Sequence, residues 1–205
     1  MQNVWIIWSL LILGLWAVIF FVKKDYRKIM LPVSLLTMFF GLTEPLFVPE
    51  YWSPPSLFNL AEKTGFDIES FIFSFSIGGI GTVLYGLLFP YVSIRMKETE
   101  KINKRHRFHI YLLFLPTLIF PLLSITTNLN PIYWGIITLF VSAVATLYCR
   151  PDLKWKIWIG GLLFAILYFF YFGSVLIFYP DYVVNYWNLK DLSNLSILGI
   201  PIEEL

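Results

Sequence analysis

The sequence predicts an all-α fold, a polytopic transmembrane helical bundle of six full spans plus a truncated seventh. Hydrophobic residues make up 58% of the 205 residues and charged residues only 14%, which would leave the surface of a soluble domain largely apolar. Six apolar stretches each approach the ~20 residues that cross a ~30 Å hydrocarbon core. None of them shows the alternation typical of strands, which favours helices over a barrel.

The predicted spans follow the apolar stretches in order. The first is long enough to cross the membrane and follows no basic segment, so we expect no cleavable signal peptide. The last apolar stretch begins near residue 197 and stops at residue 205, so the seventh helix is expected to be incomplete. The six full spans are residues 4–22, 29–48, 71–94, 110–126, 131–149 and 157–178.

The basic residues predict the orientation of the bundle. The loops after the first, third and fifth spans hold 13 of the 15 Lys and Arg residues, and only Lys63 and Lys190 lie in the other loops. The positive-inside rule makes the basic loops cytoplasmic and places the N-terminus outside. We therefore expect an integral protein of the plasma (inner) membrane, surrounded by lipid. Because topology explains the basic residues, the net charge of +2 predicts no nucleic-acid partner.

Two similar phrases indicate an internal repeat. Tyr51-Trp52 precedes Glu69, and the distance from Trp52 is 17 residues. Tyr186-Trp187 precedes Glu204 by the same 17 residues, counted from Trp187. Both pairs lie in long loops of the same predicted side, each before an acidic helix start. A chance similarity between apolar segments is the alternative.

Basic turns at residues 23–27 and 150–154 also resemble each other. Each stands between two spans, so the repeated unit is a three-helix unit. With three spans per unit and one connecting span, both units enter the membrane from the same side, so the two units are parallel repeats. The expected organisation is a first three-helix repeat at 1–94, a basic loop and connector helix at 95–130, and a second repeat at 131–205 with an incomplete last helix.

Acidic residues at the ends of apolar segments are the candidate site residues, because charge inside a bilayer costs at least ~3 kcal/mol. Glu44 lies about four residues from the outer end of the second span, and Pro45 after it predicts a kink. An acid beside a kink lines a cavity more often than it faces lipid. Snorkelling, or a bond to a neighbouring helix, is the structural alternative for Glu44.

Glu69, Glu203 and Glu204 lie at predicted helix starts, where an acid also complements the helix dipole. Asp67 serves that role better in the first copy, as a possible N-cap, which leaves Glu69 free to face the bundle. In the second copy Pro201 suits a first helical turn. A functional and a structural role for these three glutamates remain open on the sequence alone.

The chemistry available to such acids is proton transfer. A carboxyl group desolvated in an apolar bundle holds its proton more tightly, so it can protonate a weak base, even an alkene. A neighbouring carboxylate could then remove a proton. The 20 Phe, 12 Tyr and 8 Trp residues supply faces that stabilise cations, although lipid contact explains most of them.

No nucleotide or metal motif accompanies these acids. Gly78-Gly79-Ile80-Gly81 lies inside a span, without a strand before it, so we interpret it as a helix-packing patch. No His, Cys or acidic residues have the spacing of metal ligands. The sequence therefore predicts no metal and no cofactor.

The second acidic phrase, Pro201-Ile202-Glu203-Glu204, resembles the start of the Pro-x-Glu-(Glu)-x-x-Phe-Phe motif of the small membrane-integral lycopene cyclases. In that family two homologous three-helix units, separate or fused, make one enzyme. Residues 43–52 are also similar to a stretch of lycopene cyclase domain proteins. The sequence ends before the aromatic residues of the motif, so we expect a fragment, inactive alone, or a homologous partner chain that completes the second unit.

The first acidic phrase resembles the corresponding motif of the preceding unit. Glu69 matches the acid of the motif and Phe73 its first aromatic residue. Asp67 stands where the family has proline, and Ser74 stands where it has the second aromatic residue. The first phrase is therefore complete but less well matched.

The resemblance implies an intramolecular lyase, an isomerase of carotenoid biosynthesis that cyclises lycopene end groups to β- or ε-type rings through a carbocation. It implies lycopene or a related acyclic carotenoid as substrate, and no hydride carrier, since the reaction has no net redox change. Glu203 and Glu204 would be the acid/base pair, Glu69 the equivalent residue of the other copy, and Glu44 an auxiliary acid. A homodimer would be a further possible assembly.

Two other classes of protein compete with this interpretation. A membrane prenyltransferase would need Asp-rich clusters to hold magnesium diphosphate, and the sequence has no DxxxD or DDxxD. A transporter or interaction protein could instead use the acids as a proton or cation relay. The sequence alone does not distinguish this second alternative from a cyclase.

Overall fold

The computed structural model describes residues 3–89 and 104–205, which are helical apart from loops, one short hairpin and one isolated bridge. The α-helices are α1 Val4–Val22, α2 Arg27–Thr37, α3 Glu44–Phe47, α4 Leu60–Thr64, α5 Ile68–Leu88, α6 His109–Leu113, α7 Leu115–Thr126, α8 Pro131–Cys149, α9 Lys154–Phe178 and α10 Tyr182–Tyr186. The strands are β1 Ser196–Ile197 and β2 Ile200–Pro201. Short 3₁₀ turns occupy Lys24–Tyr26, Met38–Thr43, Leu57–Asn59, Lys104–Phe108, Pro151–Leu153, Leu189–Asp191 and Ile202–Glu204.

Five helical segments in the described part of the chain are long and apolar enough to cross a membrane. They correspond to the first, second, third, fifth and sixth predicted spans, so the all-α class, with several helices that could span a membrane, is confirmed. The end of the third span, at residues 90–94, and the basic residues Arg95, Lys97 and Lys101 lie outside the described residues. The five segments are Val4–Val22, Lys24–Phe47, Ile68–Leu88, Pro131–Cys149 and Pro151–Phe178.

The fourth predicted span is not one continuous helix. It divides at Phe114 into α6 and α7, where Pro116 occupies the first turn of α7 because a proline needs no hydrogen-bond partner for its nitrogen there. With 12 residues, α7 is about 18 Å long at ~1.5 Å per residue. This is shorter than a ~30 Å hydrocarbon core, so six full spans are not confirmed.

The predicted seventh helix does not begin at Ile197. Residues Ser196–Ile197 pair antiparallel with Ile200–Pro201 in a hairpin instead. The hairpin turns through Leu198 and Gly199, both in the left-handed region with φ of 52° and 86°. Glycine adopts that conformation without steric cost, which favours a tight turn here. Only the 3₁₀ turn Ile202–Glu204 follows, so the acids of the second phrase lie just after a hairpin.

The glycine patch packs helices, as predicted. A Cβ atom on Gly79 would collide with Ser34 of α2 and Trp16 of α1, and one on Gly78 would collide with Thr37 of α2. The Trp16 indole N–H donates to the Ser34 hydroxyl over 2.8 Å, and Ser34 is fully buried. Small residues let α5 approach both neighbours closely, as is common between membrane helices. This close packing fixes α5, which carries Glu69 and Ser70.

The two Tyr-Trp pairs meet at one end of the bundle, which we call the Tyr-Trp end and which carries loops 48–67 and 179–201. Trp52 and Trp187 form an antiparallel β-bridge, and their rings lie 5.3 Å apart. The Ser53 N–H donates to the Tyr186 carbonyl over 2.8 Å, and the Asn188 N–H donates to the Tyr51 carbonyl over 2.9 Å. This bridge joins the two long loops that precede the acidic phrases in the sequence.

Candidate active site

An aromatic cavity of about 260 Å³ lies at the Tyr-Trp end, between α1, α5 and α9. Twelve of its twenty lining residues are Phe, Tyr or Trp, so most of its wall is apolar and rich in π faces. The two acidic residues in the wall are Glu44 and Glu204. Phe73, the predicted motif aromatic, also lines the cavity and packs 5.4 Å from Trp5, centroid to centroid.

Glu204 accepts hydrogen bonds from three side chains of the cavity wall. The Trp187 indole N–H donates to its Oε1 over 2.8 Å, the Tyr168 hydroxyl donates to its Oε2 over 2.8 Å, and the Tyr51 hydroxyl also donates to Oε1. Burial raises the pKa of Tyr51, and the nearby charge of Glu204 raises it further, so this phenol keeps its proton. Because tryptophan can only donate, Glu204 is held as an acceptor, which is the role of an ionised carboxylate.

Glu44 has fewer hydrogen-bond donors around its carboxyl group than Glu204. Among the residues that the structure describes, only the Ser70 hydroxyl donates to Glu44, reaching Oε2 over 2.8 Å, and Oε1 is buried without a partner. The Glu44 residue is 6% exposed. It stands where the 3₁₀ stretch Met38–Thr43 gives way to α3, with Pro45 in the first turn of that helix. The irregular backbone lies just before Pro45 and turns Glu44 towards the cavity.

Glu69 does not line the cavity, although its side chain is fully buried. Its Oε1 accepts the Leu57 backbone N–H over 2.7 Å, and its Oε2 has no partner. Leu57 belongs to the long loop that follows the Tyr51-Trp52 pair. Glu69 therefore ties that loop to the start of α5.

Glu203 is also absent from the cavity wall. Its Oε1 accepts the Ser193 backbone N–H over 2.8 Å and the Tyr133 hydroxyl over 2.8 Å. Burial by itself raises the pKa of Glu203, but the hydrogen bonds from Ser193 and Tyr133 outweigh burial and hold the pKa below its ordinary value. Like Glu69, Glu203 binds a backbone N–H of the loop before it. Pro201, the motif proline, ends β2 and is buried.

Asp67 is the N-cap of α5, as the sequence predicted. Its Oδ1 accepts the Ser70 backbone N–H over 2.5 Å, and its Oδ2 has no partner. Burial raises the pKa of Asp67, while the Ser70 hydrogen bond and the Trp5 indole oppose this rise. Ser70 therefore links two acids, since its N–H binds Asp67 and its hydroxyl binds Glu44.

Sequence reasoning missed the donors that hold the two cavity acids. The 17-residue spacing between Trp187 and Glu204 indicates a repeat, and these two residues are also in direct contact. Tyr51 belongs to the other Tyr-Trp pair, the one in the first copy. Nothing in the sequence distinguished Tyr168 or Ser70 from other residues of their types. Within residues 3–89 and 104–205, no three His, Cys, Asp or Glu side chains are grouped to hold a metal ion.

The fold and the cavity together define an all-α chain with several helices that could span a membrane and two carboxyl groups in the wall of an aromatic cavity. Residues 130–205 match the family model described as Lycopene cyclase. This match makes residues 130–205 similar to the lycopene cyclase domain family and supports carotenoid cyclisation at the level of that family. No curated protein and no solved structure matches the chain.

Acidification is expected to loosen the second loop through Glu203. Because the pKa of Glu203 is lowered in the folded protein, its stabilising contribution is complete above the ordinary value of 4.5 and is lost as the pH falls through the folded value. Thermal unfolding in detergent between about pH 6 and about pH 3 measures this loss. Glu203→Gln should flatten that pH dependence, whereas Glu62→Gln, at an exposed acid of α4, should not. Equal slopes for wild type and Glu203→Gln would contradict the assignment.

Proposed function

We propose that the chain is a lycopene cyclase that closes carotenoid end groups to β- or ε-type rings by acid/base catalysis in the aromatic cavity. One observation carries the proposal: two carboxyl groups face the same cavity in opposite hydrogen-bonding states. Glu44 has one neutral donor and a free buried oxygen, whereas Glu204 accepts three donors. Such a difference in environment separates an acid from a base.

Glu44 is the proposed general acid. In the described chain no Lys or Arg nitrogen lies within 4 Å of its carboxyl oxygens, and the one hydrogen bond to its side chain there comes from Ser70. Such a site favours the neutral carboxylic acid. The Glu44 proton passes to a carbon of the terminal double bond, and the electron pair of that bond forms the new C–H bond. The resulting tertiary cation is attacked by the next double bond, which closes the six-membered ring.

Glu204 is the proposed base. The ring cation lies among aromatic faces, which attract positive charge, and Glu204 contributes a full negative charge nearby. Glu204 then accepts a proton from a carbon next to the cationic carbon, and the freed electron pair forms the double bond of the ring. One proton enters and one leaves, so the product is an isomer of the substrate. The position of Glu204 relative to the cation decides which proton leaves, and hence the ring type.

Glu69 and Glu203 are proposed positioning residues rather than the acid and base. In each of them one carboxyl oxygen accepts a hydrogen bond from a backbone N–H of the preceding loop, and neither residue lines the cavity. This differs from the pair expected on the resemblance, Glu203 with Glu204, in which Glu44 was auxiliary. The cavity lining supports the revision, because Glu204 and Ser70, the hydrogen-bond partner of Glu44, both line the cavity.

The cavity suits one end of a long polyene. Its volume of about 260 Å³ is below the ~300–1,000 Å³ that usually encloses a drug-sized ligand, so the rest of the substrate must lie outside it, along lipid-facing helix surfaces. Lycopene or a related acyclic carotenoid, dissolved in the bilayer, is the proposed substrate. One end group would be cyclised per binding event.

The proposed arrangement in the cell keeps the predicted topology, with basic loops in the cytoplasm and the Tyr-Trp end outside an inner membrane. The proposed units are residues 1–94 and 131–205, with 95–130 as connector. The bridge between Trp52 and Trp187 supports two equivalent loops that face each other. A homologous partner chain or a homodimer is a further proposed assembly.

Expression in bacterial cells that accumulate lycopene tests the function. We expect new pigments with one or two cyclic end groups, identified by chromatography, absorption spectra and a mass equal to that of lycopene. The control is the same host with Glu44→Gln/Glu204→Gln, which should insert in the membrane but leave lycopene acyclic. Wholly acyclic pigment with the wild-type chain, also when co-expressed with a family partner unit, would remove the cyclase assignment. Proton or cation transport by reconstituted vesicles would then favour the relay alternative.

A further inference from the structure

A group of buried polar atoms surrounds Glu44 and the start of α5. Glu44 Oε1, Asp67 Oδ2 and Glu69 Oε2 are carboxyl oxygens without a hydrogen-bond partner, and the Tyr182 hydroxyl and the Trp5 indole N–H are also unpartnered. All five residues are at least nine-tenths buried, with exposed fractions from 0% for Glu69 to 8% for Trp5. Buried polar groups without partners are rare in proteins, so this group calls for a function.

The members of the group lie close to one another. Ser70 spans the gap between two of the acids, because its N–H contacts Asp67 over 2.5 Å and its hydroxyl contacts Glu44 over 2.8 Å. Tyr182 and Trp5 lie near the acids, because the charges of Glu69 and Asp67 help to raise the pKa of Tyr182, after burial and Tyr186, and the Trp5 indole acts on Asp67. The free polar atoms therefore face the acids.

No cation neutralises these acids within the part of the chain that the structure describes. The nearest basic residue in sequence, Lys63, instead donates to the Phe58 carbonyl over 2.9 Å. Three buried carboxyl groups without a cation cannot all be ionised, since like charges in an apolar site share protons. The group is thus able to hold and exchange protons.

The proposed reaction needs a supply of protons to Glu44. Each turnover consumes the Glu44 proton, and the proton taken from substrate ends on Glu204, the other acid of the cavity wall. While the apolar substrate fills the cavity, the direct path between the two acids is blocked. A proton must therefore reach Glu44 from a group outside the cavity wall, and Asp67 is such a group, joined to Glu44 through Ser70.

We infer that Asp67 is a proton-transfer residue that reloads Glu44 from the water at the Tyr-Trp end. The inference rests on the proposed function. Asp67 gives the proton of its carboxyl group to the Glu44 carboxylate, directly or through an ordered water held by Tyr182 and Trp5. The Asp67 carboxylate then takes a proton from water. Glu204, which is partly exposed, returns its proton to water, so protons balance over one cycle.

Asp67→Asn tests the inference, because asparagine keeps the N-cap of α5 but carries no transferable proton. With protein in excess over lycopene in lipid vesicles, the first turnover should proceed within about twofold of the wild-type rate, since Glu44 starts protonated. With lycopene in excess, the steady-state rate should fall at least about tenfold, on the scale of lost proton transfer. A small carboxylic acid such as acetic acid should restore part of that steady-state rate. Glu62→Gln, at an exposed acid of the same loop, should change neither rate.

Four results would overturn the inference. Equal losses in the first turnover and in the steady state would assign Asp67 a structural role, while the cyclase function stands. An unchanged steady state in Asp67→Asn, or a reload defect found in Glu69→Gln instead, would remove the assignment to Asp67. Absence of cyclic product from wild type in both regimes would remove the proposed function together with the relay.

Discussion

Replacement of either cavity acid by glutamine should lower the formation of cyclic carotenoids by at least about 100-fold, within the ~10²–10⁴ that general acid–base catalysis supplies. Glu44→Gln leaves no proton to deliver to the double bond. Glu204→Gln leaves no carboxylate to remove one, and its amide is a poorer acceptor for Tyr51, Tyr168 and Trp187. Pigment analysis in lycopene-accumulating cells, normalised to the amount of membrane-inserted protein, measures both losses.

The two variants should also fail differently. Glu44→Gln stops before the cation forms, so its pigment should remain acyclic. Glu204→Gln still protonates the substrate, and the cation that forms can be captured by water to give a trace of hydroxylated ring product. Mass spectrometry of minor pigments separates the two outcomes. Acyclic pigment alone from both variants would contradict this order of acid and base.

Matched substitutions separate chemistry from loop anchoring. Glu69→Gln and Glu203→Gln should lower product by less, because an amide oxygen still accepts the backbone N–H of Leu57 or Ser193. Glu50→Gln changes an exposed acid of the first long loop and should have no effect. Loss of activity in Glu203→Gln as large as in Glu204→Gln, with Glu44→Gln active, would instead favour the pair that the family motif implies.

Helices and membrane insertion could be predicted from the sequence because they follow from local apolar length. The first span and α8 match the predicted ranges 4–22 and 131–149 residue for residue. The break at Phe114 and the hairpin at Ile197 were missed, since short turns depend on proline position and left-handed residues rather than on hydropathy. Apolar length alone therefore does not show whether an apolar stretch forms one continuous helix.

The candidate site was predicted as a set of acids but not as an arrangement. The chemistry of Glu44, Glu69, Glu203 and Glu204 was visible because charge is rare in this sequence. Which two share a cavity depends on tertiary contacts across long separations, such as Tyr51 with Glu204, 153 residues apart. Neighbours in sequence point in different directions, so the adjacent acids Glu203 and Glu204 do not share one environment.

Trp187 joins the loop bridge to the proposed base. Its ring lies 5.3 Å from Trp52, 5.4 Å from Phe172 and 5.8 Å from Tyr182, centroid to centroid, and its indole N–H donates to Glu204. Only 8% of the residue is exposed. Packing of the two long loops and orientation of Glu204 therefore depend on the same side chain.

Trp187→Ala should lower the free energy of unfolding by about 3–5 kcal/mol, the usual cost of truncating a buried Trp. Thermal or denaturant unfolding in detergent measures it. Trp158→Ala removes the same atoms from a residue that is 57% exposed on α9 and should change stability little. Near-equal effects of the two substitutions would show that the loop bridge contributes little to the fold.

Trp187→Phe separates packing from hydrogen bonding at the same position. It keeps most of the ring contacts but removes the donor to Glu204, and a hydrogen bond to a charged group contributes about 1.5–3 kcal/mol. Since Glu204 keeps two phenol donors, stability should fall less than in Trp187→Ala. Cyclisation should still fall by about tenfold or more, because the base loses one of the contacts that orient it. Full activity in Trp187→Phe, with the stability loss confined to Trp187→Ala, would show that Tyr51 and Tyr168 alone position the base.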